Sequence, residues 1–286
     1  MNLATRILAI VLALSTVASF AQPSSTAGSK SREQAWAVLN DGLNDKSADK
    51  RSTAVQVLGL LPGDAQAERA ALNALKDEKP EVRAAAAQAL GSMKAKGAAP
   101  QLVELFNDKE PAVIIAAAHA LIDLGDHRGF NVYYAILTGE QKSGSSLMDE
   151  QKKMLEDPKK LAQFGFEQGI GFIPFAGLGY NAFKMITKDT TSPVLAAAAL
   201  TLAKDPDPKS GKALAAAAAD NKSWIVRAAA LNAMALRGET SLLPAAQAQM
   251  ADSKEEVRYS AAAAVIRLTD LSARKGPAKS APNNKK

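Results

Sequence analysis

Residues 77–90 read DEKPEVRAAAAQAL, and the same pattern returns five more times along the chain. The other copies align with it without gaps and begin at Asp45, Asp108, Asp189, Asn221 and Asp252. Successive starts lie 31 or 32 residues apart, except for one interval of 81 residues between the third and fourth copies. A repeat of this length indicates that one small structural unit is used many times.

Two columns of the aligned copies are apolar throughout, as the buried face of a helix requires. Thirteen residues after the start every copy has leucine, methionine or valine, and nine residues after it every copy has alanine. The alanine column is Ala54, Ala86, Ala117, Ala198, Ala230 and Ala261. These offsets lie on one side of a helix with 3.6 residues per turn. A position that is alanine in every copy predicts close approach to a neighbouring helix, because a larger side chain would overpack the contact.

A second helical stretch precedes the copies. Examples of these stretches are residues 33–44, 65–76, 99–107, 209–220 and 241–251. An Asp or Asn at the start of a copy, with Pro80, Pro111 or Pro193 just after it, indicates helix capping and a first helical turn. A hairpin of about 31 residues cannot bury its own apolar face, so neighbouring hairpins must stack. The sequence predicts an all-α fold, a right-handed α-solenoid of stacked antiparallel helix pairs.

These columns resemble those of the HEAT repeat family, in particular the short HEAT-like repeats of the phycobilisome lyase type. The matching signature is Asp-x-x-Pro-x-Val-Arg before an alanine run, and it is complete at Asp77, Pro80 and Arg83. The resemblance implies that the Asp and Arg form a ladder between successive repeats. The arginine column holds Arg51, Arg83, Arg227 and Arg258. Ile114 and Leu195 replace arginine in the other two copies, so the ladder is expected to be broken there.

The first 21 residues have the pattern of a secretory signal peptide. Arg6 precedes a largely apolar run, and the small residues Ser19 and Ala21 stand where a signal peptidase reads the chain. This predicts cleavage near Ala21 and Gln22 and export to the periplasm or beyond. An uncleaved membrane anchor is the less favoured alternative, because a spanning helix needs about 20 apolar residues.

The net charge of +6 does not indicate a nucleic-acid-binding protein. Without Arg6 and the five basic residues of segment 274–286, the remaining chain has 29 basic and 29 acidic residues, so its body is neutral. A neutral body lacks the positive field on which phosphate affinity depends. The chain has no cysteine and two histidines, which excludes cysteine-based zinc sites and cysteine nucleophiles. Segment 274–286 is short, polar and basic, and it is predicted to be a disordered tail.

An aromatic and glycine-rich insert at residues 139–188 separates N-terminal repeats at 22–138 from C-terminal repeats at 189–273. Nine of the thirteen aromatic residues of the exported chain lie in residues 130–183. Three interpretations remain open for the insert: a plug packed on the solenoid, a surface for a protein, peptide or lipid, and a membrane span interrupted by Pro174. Its candidate interaction residues are Phe164, Phe166, Phe172, Phe175 and Tyr180.

A second candidate interaction surface is a polar row eleven residues after the start of the copies. It consists of Gln56, Gln88, His119 and Asn232. His119 and His127, with Asp123 or Asp126, offer an alternative reading as metal ligands or acid–base groups, but their spacing matches no metal motif. We predict no catalytic, cofactor-binding or metal-binding residues.

The resulting functional prediction is a non-catalytic, exported scaffold that binds an unidentified protein or peptide. Two alternatives stay open. The family resemblance implies a lyase-like or tetrapyrrole-handling protein, and the insert with the basic tail suggests an adaptor with weak contact to a membrane surface.

Overall fold

The computed structural model describes residues 23–132 and 191–275, which are helical without any strand in either range. The helices of the first range are α1 (Pro23–Leu43), α2 (Ala48–Val57), α3 (Ala65–Ala74), α4 (Pro80–Ser92), α5 (Ala99–Glu104) and α6 (Pro111–Asp123). Those of the second are α7 (Thr191–Leu202), α8 (Pro208–Asp220), α9 (Trp224–Arg237), α10 (Leu243–Ala248) and α11 (Glu255–Lys275). The predicted all-α fold is confirmed.

Each repeat is a helix hairpin whose second helix packs against the second helix of the next hairpin. In the first range α2 packs on α4 and α4 packs on α6. In the second range α7 packs on α9 and α9 packs on α11. The first helices α3, α5, α8 and α10 lie against α4, α6, α9 and α11, respectively. One hydrophobic core therefore runs along the second helices, as stacked repeats require.

The alanine column marks the contacts between these second helices. Ala54, Ala86, Ala117, Ala230 and Ala261 are all fully buried. Ala198 differs, because it is exposed on α7 while Ala196 and Ala199 are buried instead. The prediction of a buried alanine is thus confirmed in five of the six copies.

The order of the hairpins in the stack differs from their order in the chain. Helix α1 lies along α11, which also packs on α2. A Cβ on Gly28 would lie 3.6 Å from Thr269, and a Cβ on Gly42 would lie 2.6 Å from the Tyr259 ring, so α1 and α11 run antiparallel. The described second helices follow one another as α6, α4, α2, then α11, α9, α7. Both described ends of the chain, α1 and α11, therefore meet in the middle of the stack.

Small residues on α1 permit this contact. Gly28, Arg32, Ala35, Leu39 and Gly42 follow one another at intervals of four and three residues, which places them along one face of the helix. Ala35 and Leu39 are fully buried on this face. The predicted helix at 33–44 leaves out the first ten residues of α1, which include the turns that lie along the end of α11.

The closest point of the α1–α11 contact gives a first prediction. Gly42→Ala would place a methyl group 2.6 Å from the Tyr259 ring and 2.8 Å from the Ala54 Cβ. We expect a loss of about 1–2 kcal/mol in the free energy of unfolding, because overpacking outweighs the helix-propensity gain of alanine. Urea denaturation measures it. Gly28→Ala is the matched control on the same helix, because its Cβ has room, and it should be neutral or stabilising. Equal gains for both variants would contradict the close contact.

Several sequence predictions lie wholly or partly outside the described residues. These are the signal peptide, the insert at 139–188 with its aromatic candidates Phe164, Phe166, Phe172, Phe175 and Tyr180, and most of the tail. Helix α11 continues to Lys275 and so includes the first two residues of the segment predicted as a tail, residues 274 and 275. Within the described ranges, no helix is both long enough and apolar enough to cross a bilayer.

Candidate functional site

The Asp or Asn that starts a copy shapes the turn before the second helix in the five copies whose start is described. The Asp77 side chain accepts a hydrogen bond from the Lys79 backbone N–H at 2.9 Å. The same bond joins Asp45 to Ser47, Asp108 to Glu110, Asn221 to Ser223 and Asp252 to Lys254. The N-cap of α4 is therefore Lys79 rather than Asp77, and Lys79 makes no side-chain capping bond. The Asp that the sequence predicted as the helix cap instead closes a turn, and it stands two residues before the true N-cap.

The ladder implied by the family resemblance is present within both halves of the stack. Arg83 donates two hydrogen bonds of 2.7 Å to the Asp108 carboxylate of the next repeat. Arg51 and Asp77 form an equivalent pair at 2.8 Å, and Arg227 and Asp252 another at 2.7 and 2.9 Å. The remaining guanidinium nitrogen of each arginine donates to backbone carbonyls in its own turn. Such bidentate pairs fix the distance and the rotation between neighbouring repeats.

The carboxylates of the ladder have lowered pKa values. Burial alone would raise the pKa of Asp108, but hydrogen bonds from the Arg83 guanidinium and from the backbone outweigh it, so the net pKa lies below the ordinary 3.8. The pKa values of Asp77 and Asp252 are lowered by the same balance of burial against arginine bonds. The three aspartates therefore remain ionised to a lower pH than an ordinary aspartate.

These pKa shifts predict acid sensitivity below pH 4. A carboxylate whose pKa is lower in the folded state stabilises the fold above its unfolded pKa of 3.8, and the stabilisation is lost as the pH falls through the folded pKa. We expect the free energy of unfolding to decrease as the pH drops below about 4, and denaturant titration at several pH values measures this. Asp108→Asn should make that fall shallower. An unchanged slope in this variant would contradict the role of Asp108.

In the described part of the chain the ladder is interrupted at three places. Ile114 and Leu195 replace arginine as the sequence shows, and Ile114 is buried whereas Leu195 is exposed. The third lies at the α1–α11 contact, where the nearest carboxylate oxygen to the Arg258 guanidinium is that of Glu255 in its own helix, at 3.9 Å. There Lys50 approaches Asp45 at 3.4 Å and Glu255 at 3.0 Å. Lys50 occupies the position where the other five copies have valine, which was the sequence signal for an unusual neighbour.

Two arginines outside the repeat columns also join elements, and the sequence analysis missed both. Arg32 on α1 bonds the carboxylate of Asp270 on α11 at 2.9 Å and pairs with Asp64, the N-cap of α3. Arg237 ends α9, bonds Glu239 at 2.6 Å and donates to the backbone carbonyl of Asp207 at 2.8 Å. No periodic pattern marks these residues, because each joins elements at one place in the stack and has no counterpart in the other repeats.

The polar row is only partly continuous in the structure. Gln56, Gln88 and His119 lie at one register on α2, α4 and α6, which are packed side by side, and all three are partly exposed. Asn232 has the same register on α9 but is separated from them by α11, where the equivalent residue is the buried Ala263. The structure thus brings three of the four predicted row residues together.

Both histidines lie at one end of the stack. The His119 Nε2 is 3.8 Å from Asp123, which also accepts a hydrogen bond of 3.3 Å from Lys94. His127 is exposed, and its ring centroid lies 6.0 Å from that of Phe130. Beside them Arg128 bonds Asp126 and holds the pKa of this carboxyl at about 2. Among the described residues, no group of three or more histidine or carboxylate side chains is placed to hold a metal ion.

Comparison with known families identifies the repeats. The family profile described as HEAT repeats matches residues 37–129 and 181–273. Two solved structures are similar to this chain at low identity. Human deoxyhypusine hydroxylase in complex with glycerol is 18% identical, with 86% of this chain and 90% of that chain covered and a TM-score of 0.29. The complex of CpcE and CpcF of phycocyanin lyase from Nostoc sp. PCC7120 is 21% identical, with 84% and 93% covered and a TM-score of 0.33. No curated protein matches the chain.

Proposed function

Because the chain belongs to the HEAT-repeat family, we propose that it is an exported, non-catalytic scaffold that binds an extended segment of a partner protein. The binding surface is the continuous part of the polar row, namely Gln56, Gln88 and His119. The single observation that carries this proposal is the placement of these three partly exposed side chains at one register on three adjacent helices.

The side chains of this surface suit a polypeptide backbone. A glutamine amide has two N–H donors and a carbonyl acceptor, and a neutral imidazole has one donor and one acceptor. An extended peptide presents the complementary groups along its length, alternating N–H donors and C=O acceptors. Side chains of these two types can therefore hydrogen-bond to the backbone of a bound segment, and at Gln56, whose amide oxygen is buried, the amide N–H is the group that would donate.

The spacing of the three residues also fits an extended segment. Packed helices lie about 8–10 Å apart, and an extended chain advances about 3.3 Å per residue, so successive row residues meet every third residue of the peptide. Asp49 and Glu81 lie seven residues before Gln56 and Gln88, on the same helix faces, and both are exposed. Their negative charge favours a segment that carries lysine or arginine.

Export is proposed from the sequence of residues 1–21. A positive start, an apolar run and small residues before Gln22 make up a signal peptide, and the absence of cysteine is compatible with an oxidising compartment. The partner is accordingly sought outside the cytoplasm.

The test is affinity capture from the extracytoplasmic fraction with three baits. They are the wild type, a row variant (Gln56→Ala, Gln88→Ala, His119→Ala) and a control variant with Arg69→Ala and Asn73→Ala, which alters two exposed residues of α3. We expect the row variant to lose at least about tenfold in affinity for a partner that the control retains. Binding of the same partners by all three baits would contradict the proposed binding surface. Recovery of the protein from the cytoplasm with its first 21 residues still attached would contradict export.

A further inference from the structure

We propose that the contact between α1 and α11 is a salt-sensitive hinge. The N-terminal array (α1 to α6) and the C-terminal array (α7 to α11) would open and close about this contact while each array stays folded. Among the described residues, the arrays touch mainly through α1 and α2 on one side and α11 on the other. The inference concerns the relation between the arrays, so it does not depend on the partner proposed above.

Ladder pairs join neighbouring repeats within the arrays but not between them. The Arg51–Asp77 and Arg83–Asp108 pairs lie inside the N-terminal array, and Arg227–Asp252 lies inside the C-terminal array. Their side chains are only 7–16% exposed, so solvent screens them little. Each array is consequently braced by bidentate bonds that the hinge lacks.

The ion pairs that cross the hinge are more exposed and therefore weaker. Arg32 and Asp270 have 32% and 29% of their side chains exposed, and Lys50 and Glu255 have 36% and 30%. Partly solvated pairs of this kind contribute little individually and are screened by salt. Raising the ionic strength should weaken the hinge before it weakens the ladder pairs.

The α1 face of the hinge combines two buried side chains, Ala35 and Leu39, with Gly28 and Gly42, which supply no side-chain area of their own. Two buried polar atoms beside it have no hydrogen-bond partner, the Trp36 Nε1 on α1 and the Thr269 Oγ1 on α11. Thr269 faces α1, since its methyl lies 3.6 Å from a Cβ placed on Gly28. Opening would hydrate the Thr269 hydroxyl, which offsets part of the cost of exposing the seam.

Hydrogen–deuterium exchange of the full chain tests the hinge. Arg32→Met removes both bonds to Asp270 and Asp64, and Arg69→Met on the exposed side of α3 is the matched control. Helices α1 and α11 lose the support of the seam when it opens, so their own backbone hydrogen bonds open more often. We therefore expect their amides to exchange about three- to tenfold faster in Arg32→Met, and likewise in the wild type at high salt, while α4 and α9 keep their protection. Equal protection in all variants, or a loss spread over all four helices, would overturn the proposal.

A reversible lock provides a second measurement if Arg32→Met does not fold. The chain has no cysteine, so Gly28→Cys with Thr269→Cys introduces one pair across the hinge. In the same double variant, oxidation should slow exchange in α1 and α11 and remove its salt dependence. Reduction should bring back the faster exchange and its dependence on salt. Failure to form the disulfide, or exchange that is the same in the oxidised and reduced states, would contradict a hinge at this contact.

Discussion

Replacing Ala86 by leucine is expected to destabilise the protein by about 3 kcal/mol or more, because the larger side chain overpacks the centre of the helix stack. Ala86 is fully buried in α4, between α2 and α6. Because Ala86 has no exposed surface, the added atoms must displace neighbouring atoms. Helix α4 packs on both α2 and α6, so the displacement disturbs the packing of the stack on this helix. The midpoint of urea unfolding measures the loss.

Ala198 provides the matched control for this prediction. It occupies the same column of the repeat on α7, but it is exposed. Ala198→Leu should therefore leave the midpoint of unfolding almost unchanged. A similar loss in both variants would show that the alanine column reflects helix propensity rather than close approach between helices.

Arg83→Ala is expected to cost about 2–3 kcal/mol, because it leaves the Asp108 carboxylate buried without its guanidinium partner. The Asp108 side chain is only 7% exposed, and it accepts both hydrogen bonds from Arg83. The loss should shrink below about pH 4, since protonation removes the uncompensated charge. Denaturant titrations at neutral and acidic pH measure both effects.

The exposed pair of Arg128 and Asp126 is the control for the ladder. It also forms a bidentate contact, but the Arg128 side chain is 52% exposed. Arg128→Ala should not change the melting temperature measurably, because solvent and salt replace the pair. If Arg83→Ala were equally harmless, the ladder would not contribute to holding the repeats together.

The hairpins and their register could be predicted because both are encoded locally. The alanine column, the leucine column and the Asp–Arg signature recur at a fixed interval, and five of the six column alanines are buried as expected. The positions without arginine, Ile114 and Leu195, also interrupt the ladder as the sequence indicated. A recurring column describes what every repeat needs, so it can be read without knowing the spatial order of the repeats.

The contact between α1 and α11 could not be predicted in the same way. A column shows that a helix needs a close neighbour, but it does not say which helix this is. The signals were single departures from the pattern, namely Lys50 in the valine column and Gly42 inside a helix. Their meaning becomes clear only when Glu255 and Tyr259 lie opposite them.

The candidate surface was predictable only where its residues lie in consecutive repeats of one array. Gln56, Gln88 and His119 share an offset within consecutive repeats, and consecutive repeats within an array are neighbours. Asn232 shares the offset as well, but it belongs to the other array. Between the arrays the row is interrupted at Ala263, which is buried because α11 packs on α1 as well as on α9.

A distance between spin labels tests most directly whether the two described ends, α1 and α11, lie together in the middle of the stack. Glu33 on α1 and Ser272 on α11 are exposed, and the chain has no other cysteine to interfere with labels at Glu33→Cys and Ser272→Cys. The structure predicts a mean separation below about 25 Å. A stack in chain order would place the first and sixth hairpins five helix spacings of about 8–10 Å apart, and a measured separation of about 40 Å or more would contradict the account.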